Sequence, residues 1–556
     1  MDRRKLLQAG TFGGVVAGAG LFNNCGPSLL TGQQTIDTHA NLSSRIPGQR
    51  RAFESLPSDK RDSRKVCVIG GGIAGLSAAL ELASRGYSVT VKESEEYLGG
   101  RLHTRKERRA GETFMVEHGL HMWFYQYYNF QNILERLGVW EKNFRDFKEV
   151  YFQFKPPLKP EILRSEGPYP LNMVGILKDS PNLNLLNAAG TLGAMVDVVF
   201  FDHSTVYQKF DQITFEEWME RARVDNTFRE VVMRPASSVT LNDPNKLSAA
   251  EMINFQHIYF IGHPRAFHRK VTTSDHQTAV IGPWAAKLRD LGVGIETSSP
   301  VQGLVFSGNK ATGVVGASGA VEPFAEVVLA LDVPGLKRVL SGSRADDTSG
   351  AERMVALRER VKQMRIAPQY SVLRVWFDKQ TSSKRSFIES VVESSQYRPI
   401  NLLAIMSMLE DECRNWAERT GGSIVEFHLY NTPEFSGLDA EAIWRKIQPV
   451  AFELLPELAE QGARALDFSL GQFENFTSLE VGQASIRPTS RYARDIGLGN
   501  VSLAGDCIAT SYPSALMERA VSTGREAANL ICAEDDVSES DLVVASSRGP
   551  GILPRF

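Results

Sequence analysis

Cysteine is scarce in this chain of 556 residues. The five present, Cys25, Cys67, Cys413, Cys507 and Cys532, include no C-x-x-C pair. That argues against a disulfide framework and a thiolate zinc site, and no metal is expected. An excess of one charge is also missing: 62 basic against 65 acidic side chains leave −3. Such a balance offers no global attraction to nucleic acid, so no nucleic-acid partner is expected. Long hydrophobic runs are absent too. Thr11 to Phe22 is 12 residues, and Ala188 to Phe201 is 14 residues interrupted by Asp197. Both fall short of the roughly 20 residues that span a bilayer. The second is expected as a core helix rather than a membrane-docking one. The composition that remains, 42% hydrophobic and 23% charged, excludes a mainly disordered chain. At about 150 residues per domain, the length suggests two to four domains.

The N-terminus reads as an address. Arg3 and Arg4 are adjacent, Leu6 and Leu7 follow, and a Gly/Ala-rich, weakly apolar stretch comes next. Charged residues, a short apolar region and small residues in that order make a secretory signal. The paired arginines resemble a twin-arginine (Tat) signal over residues 1–25, a route that exports folded proteins. Ala17-Gly18-Ala19 offers a cleavage site, and Asn24 before Cys25 departs from a lipobox. A periplasmic location, or one on the outer face of the inner membrane, is expected. Residues 26–63 read as a polar linker.

Residues 64–93 read strand, tight turn, helix, strand. Val66, Val68 and Ile69 suit a buried parallel strand. Gly70, Gly72 and Gly75 then supply G-x-G-x-x-G. Gly70 permits the turn, Gly72 lets the backbone approach a pyrophosphate, and Gly75 lets the helix pack on the sheet. The helix, expected from Ile73 to Arg85, directs the amides of Ile73 and Ala74 at the phosphates. A second strand ends at Glu93, 18 residues after Gly75, where a carboxylate can accept hydrogen bonds from ribose hydroxyls. An acid there favours an unphosphorylated adenosine ribose, as in FAD or NAD.

Gly99-Gly100-Arg101, the acid-x-Gly-x-His segment Glu117 to His121, and Leu503-Ala-Gly505-Asp506 with Met517-Glu518 follow. Together they resemble the superfamily of FAD-dependent amine oxidases and carotenoid desaturases, from Lys65 to Ala533. The resemblance implies FAD. It implies that Arg101 holds the flavin diphosphate, Gly119 and His121 lie beside the isoalloxazine, and a backbone contact at Val301 holds the adenine. It further implies that Gly505 and Asp506 meet the ribityl chain, and that the helix carrying Met517 faces the pyrimidine. Arg519 stands where the family usually has Gly. The implied fold is α/β: a Rossmann-type FAD domain from residues 64–150, 276–340 and 481–533, interleaved with an α+β substrate domain from 151–275 and 341–480. Residues 534–556 read as a disordered tail.

For the substrate, three features depart from the amine oxidases. No lysine lies between Pro368 and Phe377, Leu516 stands where an aromatic is usual, and Met122 follows His121 where amino-acid oxidases tend to carry Arg. Pro368-Gln-Tyr-Ser-Val, Pro170 to Ile176 and Asp243 to Met252 instead resemble plant- and cyanobacterial-type phytoene and ζ-carotene desaturases. Trp123, Phe124, Tyr125, Tyr127, Tyr128 and Phe130 either line a tunnel for a polyene or form ordinary core. The expected function is transfer of hydride from an apolar isoprenoid to flavin N5, with quinone or oxygen as acceptor and peripheral membrane contact. The alternatives are an exported amine or L-amino-acid oxidase making peroxide, a redox-neutral isomerase or dehydroxylase, and a flavin-binding partner without turnover. No side chain is assigned as acid or base; His121 is the best single candidate for a role near the ring.

Overall fold

The computed structural model describes residues 42–164, 179–261, 263, 265, 268–381 and 384–549. The twin-arginine stretch, Cys25 and Pro170 to Ile176 lie outside the described residues.

A five-stranded sheet organises the cofactor half. Its order is Gly294–Glu296, Val89–Lys92, Val66–Ile69, Glu326–Leu329 and Val501–Leu503, and every pairing is parallel. The strands come from three separate stretches of chain. Parallel strands need long crossovers, and these cover both faces, so the central strands are apolar throughout. Val66 and Val68 face the helix Ile73–Ala83. Cys67 and Ile69 face the opposite way, onto an antiparallel layer of Gly303–Ser307, Lys310–Val315 and Val321–Glu322. The helices Val333–Ser341 and Thr348–Lys362 pack in that same second core, through Leu336, Val339 and Leu357. The expected boundary at residue 340 is therefore wrong: it cuts a helix, and the apolar side of the next helix also closes on the cofactor sheet.

The second half is built on a seven-stranded sheet. Its order is Ala465–Phe473, Tyr370–Phe377, Ser423–Leu429, Leu402–Ile405, Val391–Glu393, Glu149–Phe152 and Glu161–Arg164. One face carries Leu373, Val375, Phe427 and Leu429 against the helix Ala440–Leu454. The other face looks toward the cofactor half and carries Val372, Arg374, Glu426 and His428, because strand side chains alternate.

Two expectations fail at the chain ends. The polar linker contains the strand Ser43–Ile46, and the presumed disordered tail contains Leu542–Ala545; the two pair antiparallel. Asn129 holds the second strand by donating from Nδ2 to the Val543 carbonyl and accepting from the Val543 amide. Val537, Leu542 and Val544 are buried. Composition concealed this because the partner each strand has among the described residues is about 500 residues away. The stretch Ala188 to Phe201 is two short helices, Leu185–Gly190 and Leu192–Val199. Ala194, Val198 and Phe201 on it are core residues. Among the described residues no helix is long and apolar enough to cross a membrane.

Candidate active site

The turn after the first cofactor strand is glycine by necessity. Gly70 has φ +109°, and a Cβ there would lie 2.3 Å from the Ala330 carbonyl oxygen. A Cβ on Gly75 would lie 2.0 Å from the Gly70 oxygen. Gly72 faces Gly100, its Cβ position 3.7 Å from the Gly100 Cα, and the Gly99 amide donates to the Gly71 carbonyl at 2.9 Å. Two glycine turns thus leave bare backbone at one end of the helix Ile73–Ala83, where no side chain caps the amides of Ile73 and Ala74. Helix polarity and exposed amides make such a position an anion cradle.

Glu93 stands beside this turn. Its Oε2 accepts from the Gly71 amide at 2.6 Å, and its Oε1 accepts from the Ser94 hydroxyl and the Glu95 amide, both at 3.0 Å. These bonds fix the carboxylate at the strand end. Its carbonyl accepts from the Ser299 amide at 2.7 Å, which draws in the loop carrying buried Val301.

The other end of the site is set by the last cofactor strand. Gly505 has φ +142°, and its amide donates to the Thr523 hydroxyl at 3.0 Å. Asp506 pairs with Arg101 at 2.5 Å and accepts from the Thr477 hydroxyl at 3.0 Å. Burial works against its charge, yet Arg101 and Thr477 hold the carboxyl below its ordinary value. The Arg101 guanidinium lies over the Phe476 ring at 5.0 Å. Arg519 is accommodated: it donates to the Ser514 carbonyl at 2.6 Å and lies 3.7 Å from buried Glu251. Met517 is half-buried on the helix Leu516–Glu534, against the main core.

The segment Glu117 to His121 crosses the inward face of the seven-stranded sheet. Gly119 has φ +146°, and a Cβ there would lie 3.2 Å from both His428 Cε1 and Val372 Cγ2. The Leu120 amide donates to Glu426 at 2.7 Å. His121 is bonded to the Gly119 carbonyl through Nδ1 at 2.8 Å and meets His276 edge-on at 5.3 Å. His118 stacks on Phe473 at 3.8 Å. Burial pushes His121 down to about 4 and His118 and His276 well below the ordinary value. These imidazoles are neutral at physiological pH.

Sequence reasoning missed the groups beneath this segment. Arg374 meets Glu426 at 2.9 Å, Glu410 at 3.4 Å and Glu117 at 3.9 Å, all buried. Burial opposes ionisation of Glu426, but Arg374 and His428 hold it well below the carboxylate range. Burial and then the Glu410 carboxyl push Glu117 upward. Tyr370, Val372 and Tyr430 form an apolar cluster with Leu241, Phe473 and Phe476, next to Arg101. A signal was present: in Ile424 to Tyr430 the polar residues Glu426, His428 and Tyr430 recur at period two. The aromatic run behaves differently from a tunnel wall, since Trp123, Tyr127 and Phe130 are wholly buried in the main core.

The bare glycine turns, the fixed carboxylate and the Arg101–Asp506 pair fit a dinucleotide bearing a diphosphate and a polyol chain, as FAD does. The flavin containing amine oxidoreductase family matches residues 73–532. The carotenoid phi-ring synthase of Streptomyces griseus is 29% identical over 485 residues, covering 84% of this chain and 88% of that protein. The one from Chlorobaculum tepidum is 25% identical, covering 87% and 91%. The 15-cis-phytoene desaturase of Synechococcus elongatus is 22% identical, covering 85% and 96%. Among solved structures, reduced UDP-galactopyranose mutase shares the fold at TM-score 0.59 and 13% identity, over 85% of this chain and 94% of that one. Cradle and match agree over most of the length: the chain belongs to the flavin containing amine oxidoreductases and is an FAD-dependent oxidoreductase.

Proposed function

We propose that the chain oxidises an apolar isoprenoid of the carotenoid type, removing hydride from a C–H bond in a desaturase-like reaction. The observation that carries this reading is the apolar, aromatic cluster beside the Arg101–Asp506 pair: Tyr370, Tyr430, Phe473, Phe476, Val372 and Leu241. Bound FAD supplies a two-electron acceptor at the flavin ring. The chain's own residues position the substrate and exclude water. The aromatic faces favour positive charge developing on a polyene. The names of the relatives, which are carotenoid enzymes, support the same substrate class.

The test is anaerobic mixing of the FAD-loaded protein with carotenoid polyenes. Bleaching of the oxidised flavin absorbance is expected. Reduction by amines or amino acids but by no polyene would replace this reading with the oxidase alternative. A quinone or oxygen is the proposed acceptor in the second half of the cycle, and reoxidation by each distinguishes them. The proposed location is the periplasm or the outer face of the inner membrane, with peripheral membrane contact, on the strength of Arg3 and Arg4. Changing both arginines to lysine is expected to retain the protein in the cytoplasm on cell fractionation; continued export would remove the twin-arginine reading.

A further inference from the structure

We propose that Tyr430, His428 and Glu426 form a relay that takes up the proton released when the substrate C–H bond is oxidised. This rests on the isoprenoid reading and deepens it by naming the base that the sequence did not reveal.

The three residues recur at every second position at the end of the strand Ser423–Leu429, so their side chains share the inward face of the sheet. His428 Nε2 lies 2.7 Å from Glu426 Oε1, and Tyr430 Oη lies 3.1 Å from His428 Nδ1. The chemistry of these atoms fixes the direction. An ionised carboxylate only accepts, so Nε2 carries the ring proton toward Glu426. With the ring proton on Nε2, Nδ1 is the acceptor atom, and the Tyr430 hydroxyl donates to it. That leaves the Tyr430 oxygen with lone pairs, and the Tyr430 ring belongs to the aromatic cluster that also contains Phe476, the residue under Arg101. Glu426 is in turn anchored by Arg374 and by the Leu120 amide, the backbone of the segment that carries Gly119 and His121. A hydroxyl, an imidazole and an oriented carboxylate in this sequence follow the logic of an acid–base triad.

The step balances without a further reactant. With FAD bound, hydride would leave one substrate carbon, taking the electron pair of that C–H bond, and the flavin would supply the two-electron acceptor. A proton leaves the adjacent carbon for the Tyr430 oxygen, and the electrons of that bond form the new C=C. The tyrosine's own proton passes to His428 Nδ1, and the imidazolium is held against Glu426. Tyr430 is the catalytic residue of the three; His428 and Glu426 act through it.

The experiment uses FAD-loaded protein, carotenoid polyene and anaerobic rapid mixing. Tyr430→Phe keeps the ring and removes the oxygen. Its flavin reduction rate is expected to fall about 10²- to 10⁴-fold, with polyene affinity, read by quenching of flavin fluorescence, changed by less than about threefold. His428→Ala is expected to fall similarly and to recover in part when imidazole is added, which a purely structural role would not produce. Tyr397→Phe, whose hydroxyl reaches the Phe154 carbonyl from the opposite core, is expected to match the wild type. A Tyr430→Phe protein that is reduced at the wild-type rate overturns the relay and leaves the isoprenoid reading intact. A wild type that no polyene reduces overturns both. If His428→Ala fails to hold FAD, the Tyr430→Phe rate decides.

Discussion

His257 is enclosed on all sides, stacked on Phe201 at 4.1 Å with Nε2 donating to the Ser546 carbonyl at 2.7 Å. Burial lowers its proton affinity to about 4, against about 6.5 in an unfolded chain. Between those values the unfolded state binds a proton that the folded state refuses. The stabilisation is therefore complete above pH 6.5, declines as pH falls toward 4, and levels off below. The decline for one such group is about 1.4 kcal/mol per pH unit. His121 is shifted to the same value and adds to the decline. Urea midpoints measured at pH 7.5 and 5 are expected to differ clearly in the wild type and by less in His257→Gln.

The helices Ile73–Ala83 and Leu516–Glu534 touch backbone to backbone. A Cβ on Gly524 would lie 2.2 Å from the Ala74 carbonyl oxygen and 3.0 Å from Ser77 Cβ. Neither neighbour can move without moving the turn that carries Gly70 and Gly72. Gly524→Val is therefore expected to cost about 1–3 kcal/mol or more and to lower the flavin bound per molecule. The melting temperature and the ratio of flavin to protein absorbance measure the two effects. The glycine turn was legible because its strand, turn, helix and terminal acid are contiguous, so local rules apply at every residue. The charged face of the second sheet was not. Glu426 and His428 alternate with Val425, Phe427 and Leu429, and such alternation ordinarily marks a strand with one face in water. Here that face is covered by Glu117 to Met122, some 300 residues earlier in the chain. Nothing local in either segment announces the other. Arg519 is similar: beside the cofactor it looks like a misfit, and only its approach to Glu251 and the Ser514 carbonyl explains how it is buried.

The first and last strands of the described residues close on each other. The strand Ser43–Ile46 has Leu542–Ala545 as its partner, and Asn129 ties that pair to Glu518 through bonds of 2.7 Å and 2.9 Å. Removing residues 537–556 deletes the buried side chains of Val537, Leu542 and Val544. Each fully buried side chain of this kind stabilises by about 1.5–3 kcal/mol. Truncation after Asp536 is expected to lower the melting temperature markedly, and thermal unfolding of the truncated and full chains measures it. The parallel sheet has a parallel consequence in time. Gly75 closes the first phosphate turn, but Gly505 and Asp506 complete the site 430 and 431 residues later. At about 5–20 residues per second of synthesis, the glycine turn waits about 20–90 s for its partner. Throughout that interval the cofactor sheet lacks its edge strand Val501–Leu503. FAD capture is therefore a late, near-final event of biosynthesis, and the half-made chain is the form most exposed to aggregation and proteolysis.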